Sequence, residues 1–271
     1  MATAPLPLAP RRFLETGRTD IWWFRPVATF LALAVFIGYS TWAAFQGNHY
    51  TFGPYLSPFY SPELFGDPAH AWFGAKPGWW PGILPFSPAF LILWAPGGFR
   101  LTCYYYRGAY YKAMWADPVN CSVGEPRSTY LGERHFPLIL QNIHRYFLYL
   151  AIPFLGVLSF DLWKAMWFTT DKAGHALGQP QFGIGVGTLV LAVNLALLAS
   201  YTFGCHSFRH MIGGVFDRIS ERPLRRKAYA CSSCLNRAHE PVAWSSLVMV
   251  GFADLYIRLC SMGVWTDWRL F

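Results

Sequence analysis

The sequence predicts an all-α integral membrane protein: a bundle of five transmembrane helices with its N-terminus on the cytoplasmic side. Three observations carry that expectation. Hydrophobic residues make up 54% of the 271 and charged residues only 13%, about half of the roughly 25% charge found in an ordinary soluble domain. Five apolar stretches approach the roughly 20 residues that a helix needs to cross a bilayer. Lys and Arg are divided unevenly between the segments that join them, which fixes the orientation.

The apolar stretches lie near 27–45, 86–106, 138–160, 184–205 and 242–264, and residues 1–271 form one membrane domain. The Pro-rich start carries Arg11 and Arg12 but no short apolar core at signal-peptide distance, so the first stretch is expected to stay as a helix. Four basic residues precede that helix, five lie in and beside the loop after the second, and seven lie between Arg209 and Arg237 after the fourth. The opposite side holds four: Lys76, Lys164, Lys172 and Arg269. The positive-inside rule then places the N-terminus inside and the C-terminus outside, a multi-pass protein of the plasma membrane in contact with lipid. The net charge of +8 follows from this topology and does not indicate nucleic-acid binding.

Between the first two helices, residues 48–85 are rich in Pro, Gly and aromatics, and are expected to lie along the outer membrane surface. The second helix contains Pro96-Gly97-Gly98, a bend whose freed backbone groups must be satisfied inside the bundle. Its inner end runs Cys103-Tyr104-Tyr105-Tyr106-Arg107, an aromatic and basic belt. The fifth helix carries Asp254 and Arg258 at i,i+4, and charges at membrane depth face the bundle interior.

No cysteine lies in an outer loop, so no disulfide framework is expected. Cys260, in the outer part of the fifth helix, reads as a small buried hydrophobe. The other five are on the reducing side, where thiols stay free or bind metal. There they share one layer with imidazoles. His144 lies near the start of the third helix, and His206 and His210 share a face at the end of the fourth. His239 comes just before the fifth, Cys103 and Cys205 mark the inner ends of the second and fourth, and Cys121 sits in the loop between the second and third. Soft and imidazole ligands delivered by five elements to one depth suit a redox metal centre. Cys231 and Cys234 form a lone CxxC in a basic loop, a weak half-motif. Two cofactors fit the layer. A haem b would take axial histidines such as His144 and His206, whereas a Rieske-type [2Fe–2S] cluster takes two Cys and two His. Haem leaves the cysteines unexplained; the mixed cluster explains both residue types, and its higher potential suits delivery of electrons to quinone.

Over most of its length the chain resembles the single-chain, five-helix membrane anchor of actinobacterial succinate dehydrogenase. The resemblance rests on Cys103 to Trp115, Val123-Gly124-Glu125-Pro126-Arg127, Gln141 to Phe147, Cys205 to Gly214 and Asp254 to Arg269. It implies a subunit that docks the flavoprotein and iron–sulfur subunits on its cytoplasmic face and passes electrons to membrane quinone. Better-known single-chain anchors hold two stacked haems with axial histidines on four helices. Here the first two helices and the outer half of the bundle have no internal histidine, so an outer haem is not expected. A quinone carbonyl gaining electrons needs a donor or cation beside it, and Arg145, next to His144, is the sequence's candidate. The rival from another class is a small transporter or channel with Asp254, Arg258 and Asn194 along its path; no inverted repeat supports it.

Overall fold

The computed structural model describes residues 20–21, 23–66, 70–83, 85–103, 105–106, 140–170, 175–214 and 219–271. Among the described residues, four helices are long and apolar enough to cross a membrane. They are α1 (Phe24–Gln46), α4 (Leu140–Lys164), α5 (Val186–Phe203) and α8 (His239–Ser261). Each falls within a few residues of a predicted span. α1 stops where Gly47 takes a left-handed conformation (φ 60°), a backbone state that glycine enters without steric penalty.

The second predicted span is different. Among the described residues, its part before Cys103 is two short helices, α2 (Ala89–Ile92) and α3 (Trp94–Thr102). At 1.5 Å per residue they reach only about 20 Å, against a hydrocarbon core about 30 Å thick. Pro96, Gly97 and Gly98 all lie within α3, and Cys103 ends it in an extended conformation (φ −61°, ψ 132°). Gly98 is required by packing, because a Cβ there would lie 2.2 Å from the Phe147 ring of α4. We expect Gly98→Ala to destabilise the protein by about 1–3 kcal/mol, as overpacking does, read as a lower melting temperature in detergent.

Contacts between helix termini define the two ends of the bundle. At one end the C-terminus of α1 meets that of α8, where Arg258 donates to the Asn48 carbonyl at 2.9 Å. α4 and α5 join there too, since Thr188 donates to the Ala165 carbonyl at 3.1 Å. This end is closed by two small hairpins that the helical reading did not anticipate: β1 (Thr51–Phe52) with β2 (Tyr55–Leu56), and β3 (Trp167–Thr170) with β4 (Ala176–Phe182). The segment after α1 does more than line a surface. Tyr50, Tyr55, Phe59 and Tyr60 are buried against the helices, while Phe73 and Trp79 stay exposed.

The charged pair on α8 is satisfied by this plug. Asp254 is 0% and Arg258 1% exposed. Arg258 Nε lies 3.3 Å from Asp254 Oδ2, which also accepts from Tyr39 Oη at 2.6 Å, while Oδ1 accepts from Ser57 Oγ at 2.5 Å. The Arg258 guanidinium sits 5.2 Å from the Trp42 ring centre. These partners enclose both charges inside the bundle, the side on which charges at membrane depth were expected. At the opposite end α3 and α5 finish and α8 begins, followed and flanked by α6 (His206–Gly213) and α7 (Pro223–Arg237).

Candidate metal centre

Four helix ends meet at this second end, and each contributes one ligand-type side chain. Cys103 follows α3, His144 lies in the early part of α4, Cys205 sits between α5 and α6, and His239 is the first residue of α8. Gly204 turns the chain after α5, and Cys205 is extended (φ −66°, ψ 143°), which points it inward before α6 begins. All four are buried, with 3%, 6%, 3% and 7% exposure in that order.

Hydrogen bonding sets the state of His144. Thr102 Oγ1 lies 2.7 Å from the Gly98 carbonyl and 2.9 Å from His144 Nδ1. A hydroxyl has one proton, and the carbonyl can only accept. Thr102 therefore donates to Gly98 and accepts from His144 Nδ1–H. Nε2 is left bare, 3.0 Å from Cys205 Sγ. With Nε2 bare, the proton of that contact is the thiol's, so Cys205 donates to Nε2. A neutral imidazole with one nitrogen held by an outer partner and the other facing a thiol is arranged as metal ligands are.

The second pair is looser. His239 Nε2 lies 3.8 Å from Cys103 Sγ. Its Nδ1 is buried without a hydrogen-bond partner, and such orphans in native interiors often mark redox or coordinating roles. Aromatic rings clamp both histidines. Phe99 stacks on His144 at 4.5 Å and 9°, and Tyr201 stacks on His239 at 5.0 Å and 14°. Arg100 completes the wall: its guanidinium lies 4.8 Å from the Tyr201 ring centre and donates to Tyr106 Oη at 2.7 Å and Ser246 Oγ at 3.1 Å.

The structure thus gathers Cys103, His144, Cys205 and His239 from the seven sequence candidates. His206 and His210 are exposed on α6 and turned toward each other, Nε2 to Nε2 at 3.1 Å. Partial burial, with the His210 and Arg209 charges, holds His206 below the usual histidine range. Cys121 lies outside the described residues. Arg145 is exposed, one residue round the helix from His144. Cys231 and Cys234 are free, exposed thiols on α7, a helix where a loop was expected. Cys260 is buried as expected. Thr102, Phe99 and Tyr201 escaped the sequence reading, although one signal was there: an aromatic residue stands four positions before each buried cysteine.

Among the described residues, no three His, Cys, Asp or Glu side chains converge closely enough to hold a single metal ion. A mononuclear site needs at least three protein ligands, but a binuclear cluster asks only two of each iron. The two thiols and two imidazoles match such a binuclear group in donor number and type, while each close contact in the structure joins one thiol to one imidazole.

Comparison with known proteins agrees with the fold. The family described as "Actinobacterial succinate dehydrogenase subunit SdhC" matches residues 24–263. A chain of the solved structure "Mycobacterium smegmatis Sdh1 complex in the apo form" is similar at a TM-score of 0.81 and 41% identity, covering 97% of this chain and 97% of that one. A comparison with curated proteins finds no match.

Proposed function

Because the chain belongs to the actinobacterial succinate dehydrogenase SdhC family, we propose that it anchors the flavoprotein and iron–sulfur subunits at the plasma membrane and passes their electrons to quinone. Cys103 and Cys205 would supply the two thiolate ligands, and His144 and His239 the two imidazole ligands, of a Rieske-type [2Fe–2S] cluster. The single observation behind this reading is the convergence of two thiols and two imidazoles, and of no other ligand set among the described residues, in one buried pocket. Such a cluster supplies a one-electron carrier at a higher potential than an all-cysteine cluster. The protein's own contribution is to exclude water, to fix the His144 tautomer through Thr102, and to hold both imidazole planes against aromatic rings.

Haem b fits less well. Axial ligands must oppose each other across open space, whereas His206 is turned to His210 and His144 faces a thiol at 3.0 Å. A transporter path along Asp254 and Arg258 is disfavoured because both are enclosed by Tyr39, Ser57 and the Asn48 carbonyl. Docking is assigned to the ligand end. There α7 presents Arg225, Arg226, Lys227 and Arg237 on an exposed surface, and the charge asymmetry makes that end cytoplasmic.

Two measurements test the reading. The purified complex should contain two irons and two acid-labile sulfides per anchor chain beyond those of the soluble subunits, with a broad visible spectrum. A sharp reduced-haem band, or iron fully accounted for by the soluble subunits, would overturn it. Thr102→Val removes the acceptor for His144 Nδ1–H, and Thr102→Ser keeps it. We expect Val to reduce cluster occupancy or quinone turnover about 10- to 100-fold, the usual effect of losing an outer-shell partner, and Ser to restore most of it.

A further inference from the structure

The two histidines left outside the buried pocket make a pair of their own. His206 and His210 stand four residues apart on α6, a spacing that puts both side chains on one helix face. Both are exposed, and their Nε2 atoms lie 3.1 Å apart. The ring centres are 4.6 Å apart, farther than the nitrogens, so the rings converge on Nε2.

That separation suits more than a hydrogen bond. An imidazole nitrogen binds a transition-metal ion at about 2.0–2.1 Å. Two such nitrogens, about 90–109° apart around one ion, therefore stand roughly 2.8–3.4 Å from each other. The observed 3.1 Å falls inside this range. Without an ion, one ring donates Nε2–H and the other accepts. When the donor's hydrogen moves to its own Nδ1, both rings stay neutral and both Nε2 lone pairs are free for one ion.

The helix that carries the pair is held in place. Arg209 donates to Asn236 Oδ1 and to Tyr229 Oη, each at 3.0 Å, and Asn236 Nδ2 donates to the Gly204 carbonyl at 2.7 Å. These contacts fasten α6 to α7 and direct the Arg209 charge at α7. A resident mononuclear ion needs three or four protein ligands. Among the described residues, no third His, Cys, Asp or Glu joins the pair. Two imidazoles open to solvent instead form a chelate whose other positions are filled by water, so its ion exchanges. The donor type also selects the ion. Mg²⁺ and Ca²⁺ take oxygen ligands, whereas Zn²⁺, Ni²⁺ and Cu²⁺ suit imidazole, with Cu²⁺ the tightest.

We propose that His206 and His210 form a bidentate site for an exchangeable divalent transition-metal ion, separate from the buried centre. The ion ties the first turn of α6 to the second, in the helix that begins immediately after Cys205.

The test uses the whole purified complex, with Zn²⁺ and Cu²⁺ alone as probes. Cys231 and Cys234 are exposed thiols that also attract such ions, so every sample carries Cys231→Ser and Cys234→Ser. After equilibrium dialysis, this background should hold one more Zn²⁺ per anchor chain than the same complex with His206→Ala or with His210→Ala. Even an outer-shell partner is worth about 10- to 100-fold in metal affinity, so loss of either imidazole should raise the apparent dissociation constant at least about 10-fold. Bound Cu²⁺ should show a paramagnetic resonance spectrum split by two nitrogens in the background and not in either variant. Equal Zn²⁺ uptake by background and variants overturns the site, and so does a docked subunit that covers the pair, since it gives that same result. A loss in one variant alone overturns bidentate binding. Iron and sulfide do not enter these readouts, so the outcome is independent of the cluster assignment.

Discussion

Replacing Cys103 or Cys205 by Ala, or His144 and His239 together by Ala, is expected to remove one [2Fe–2S] unit per anchor and to lower succinate-driven quinone reduction by more than about 100-fold. The magnitude follows because even outer-shell partners are worth about 10- to 100-fold, and these residues are assigned to the irons themselves. Dye reduction by the docked soluble subunits should remain, since that chemistry needs nothing from the pocket. The control is as informative as the loss. His206→Ala with His210→Ala removes the two exposed imidazoles that pair with each other at 3.1 Å, and should leave iron, sulfide and quinone turnover unchanged. Equal loss in both double variants would reject the ligand assignment, and iron content is to be measured on complex of verified subunit composition.

The largest expected effect on stability is at Asp254. Asp254→Ala leaves buried Arg258 and Ser57, and half-buried Tyr39, without the acceptor that all three now share. Removing one partner of a buried ion pair costs about 3–5 kcal/mol, a large share of the roughly 5–15 kcal/mol that holds a native protein together. We expect little assembled anchor from this variant. The double variant Asp254→Met with Arg258→Met removes both charges, and apolar replacement of a whole pair is often neutral; it should recover most of the yield. Thermal unfolding in detergent and the flavin content of the membrane fraction read both outcomes. If the single variant melts like wild type, the network is not what closes that end of the bundle.

The spans α1, α4, α5 and α8 were legible because continuous apolar character survives any uncertainty about rotation. The second span was not, because the same apolar window also accommodates Pro96, Gly97 and Gly98, whose effect on length is set by what they pack against. Gly98 against Phe147 is a tertiary fact. The centre was legible in residue type and in depth, but not in phase. His144 and Arg145 are neighbours in sequence and about 100° apart around a helix with 3.6 residues per turn, so one faces inward and the other outward. Cys205 and His206 part for another reason: Gly204 breaks the helix, and one residue of extended chain turns the thiol in and the imidazole out. The strands near 51–56 and 167–182 gave no sequence signal strong enough to set against the aromatic, Pro-rich composition around them.

The plug around Asp254 also has a consequence for biogenesis. Tyr39 and Ser57 are synthesised roughly 200 residues before the carboxylate that accepts their protons, 215 and 197 positions away in the chain. Until α8 enters the bilayer, the two hydroxyls on the early part of the chain lack their acceptor. The i,i+4 spacing lets Asp254 and Arg258 enter as a neutralised pair, which lowers the cost of charge at membrane depth. Closure of this network therefore waits for α8. A nascent chain that stalls before α8 leaves the Tyr39 and Ser57 hydroxyls without this acceptor and Cys103 without His239 beside it.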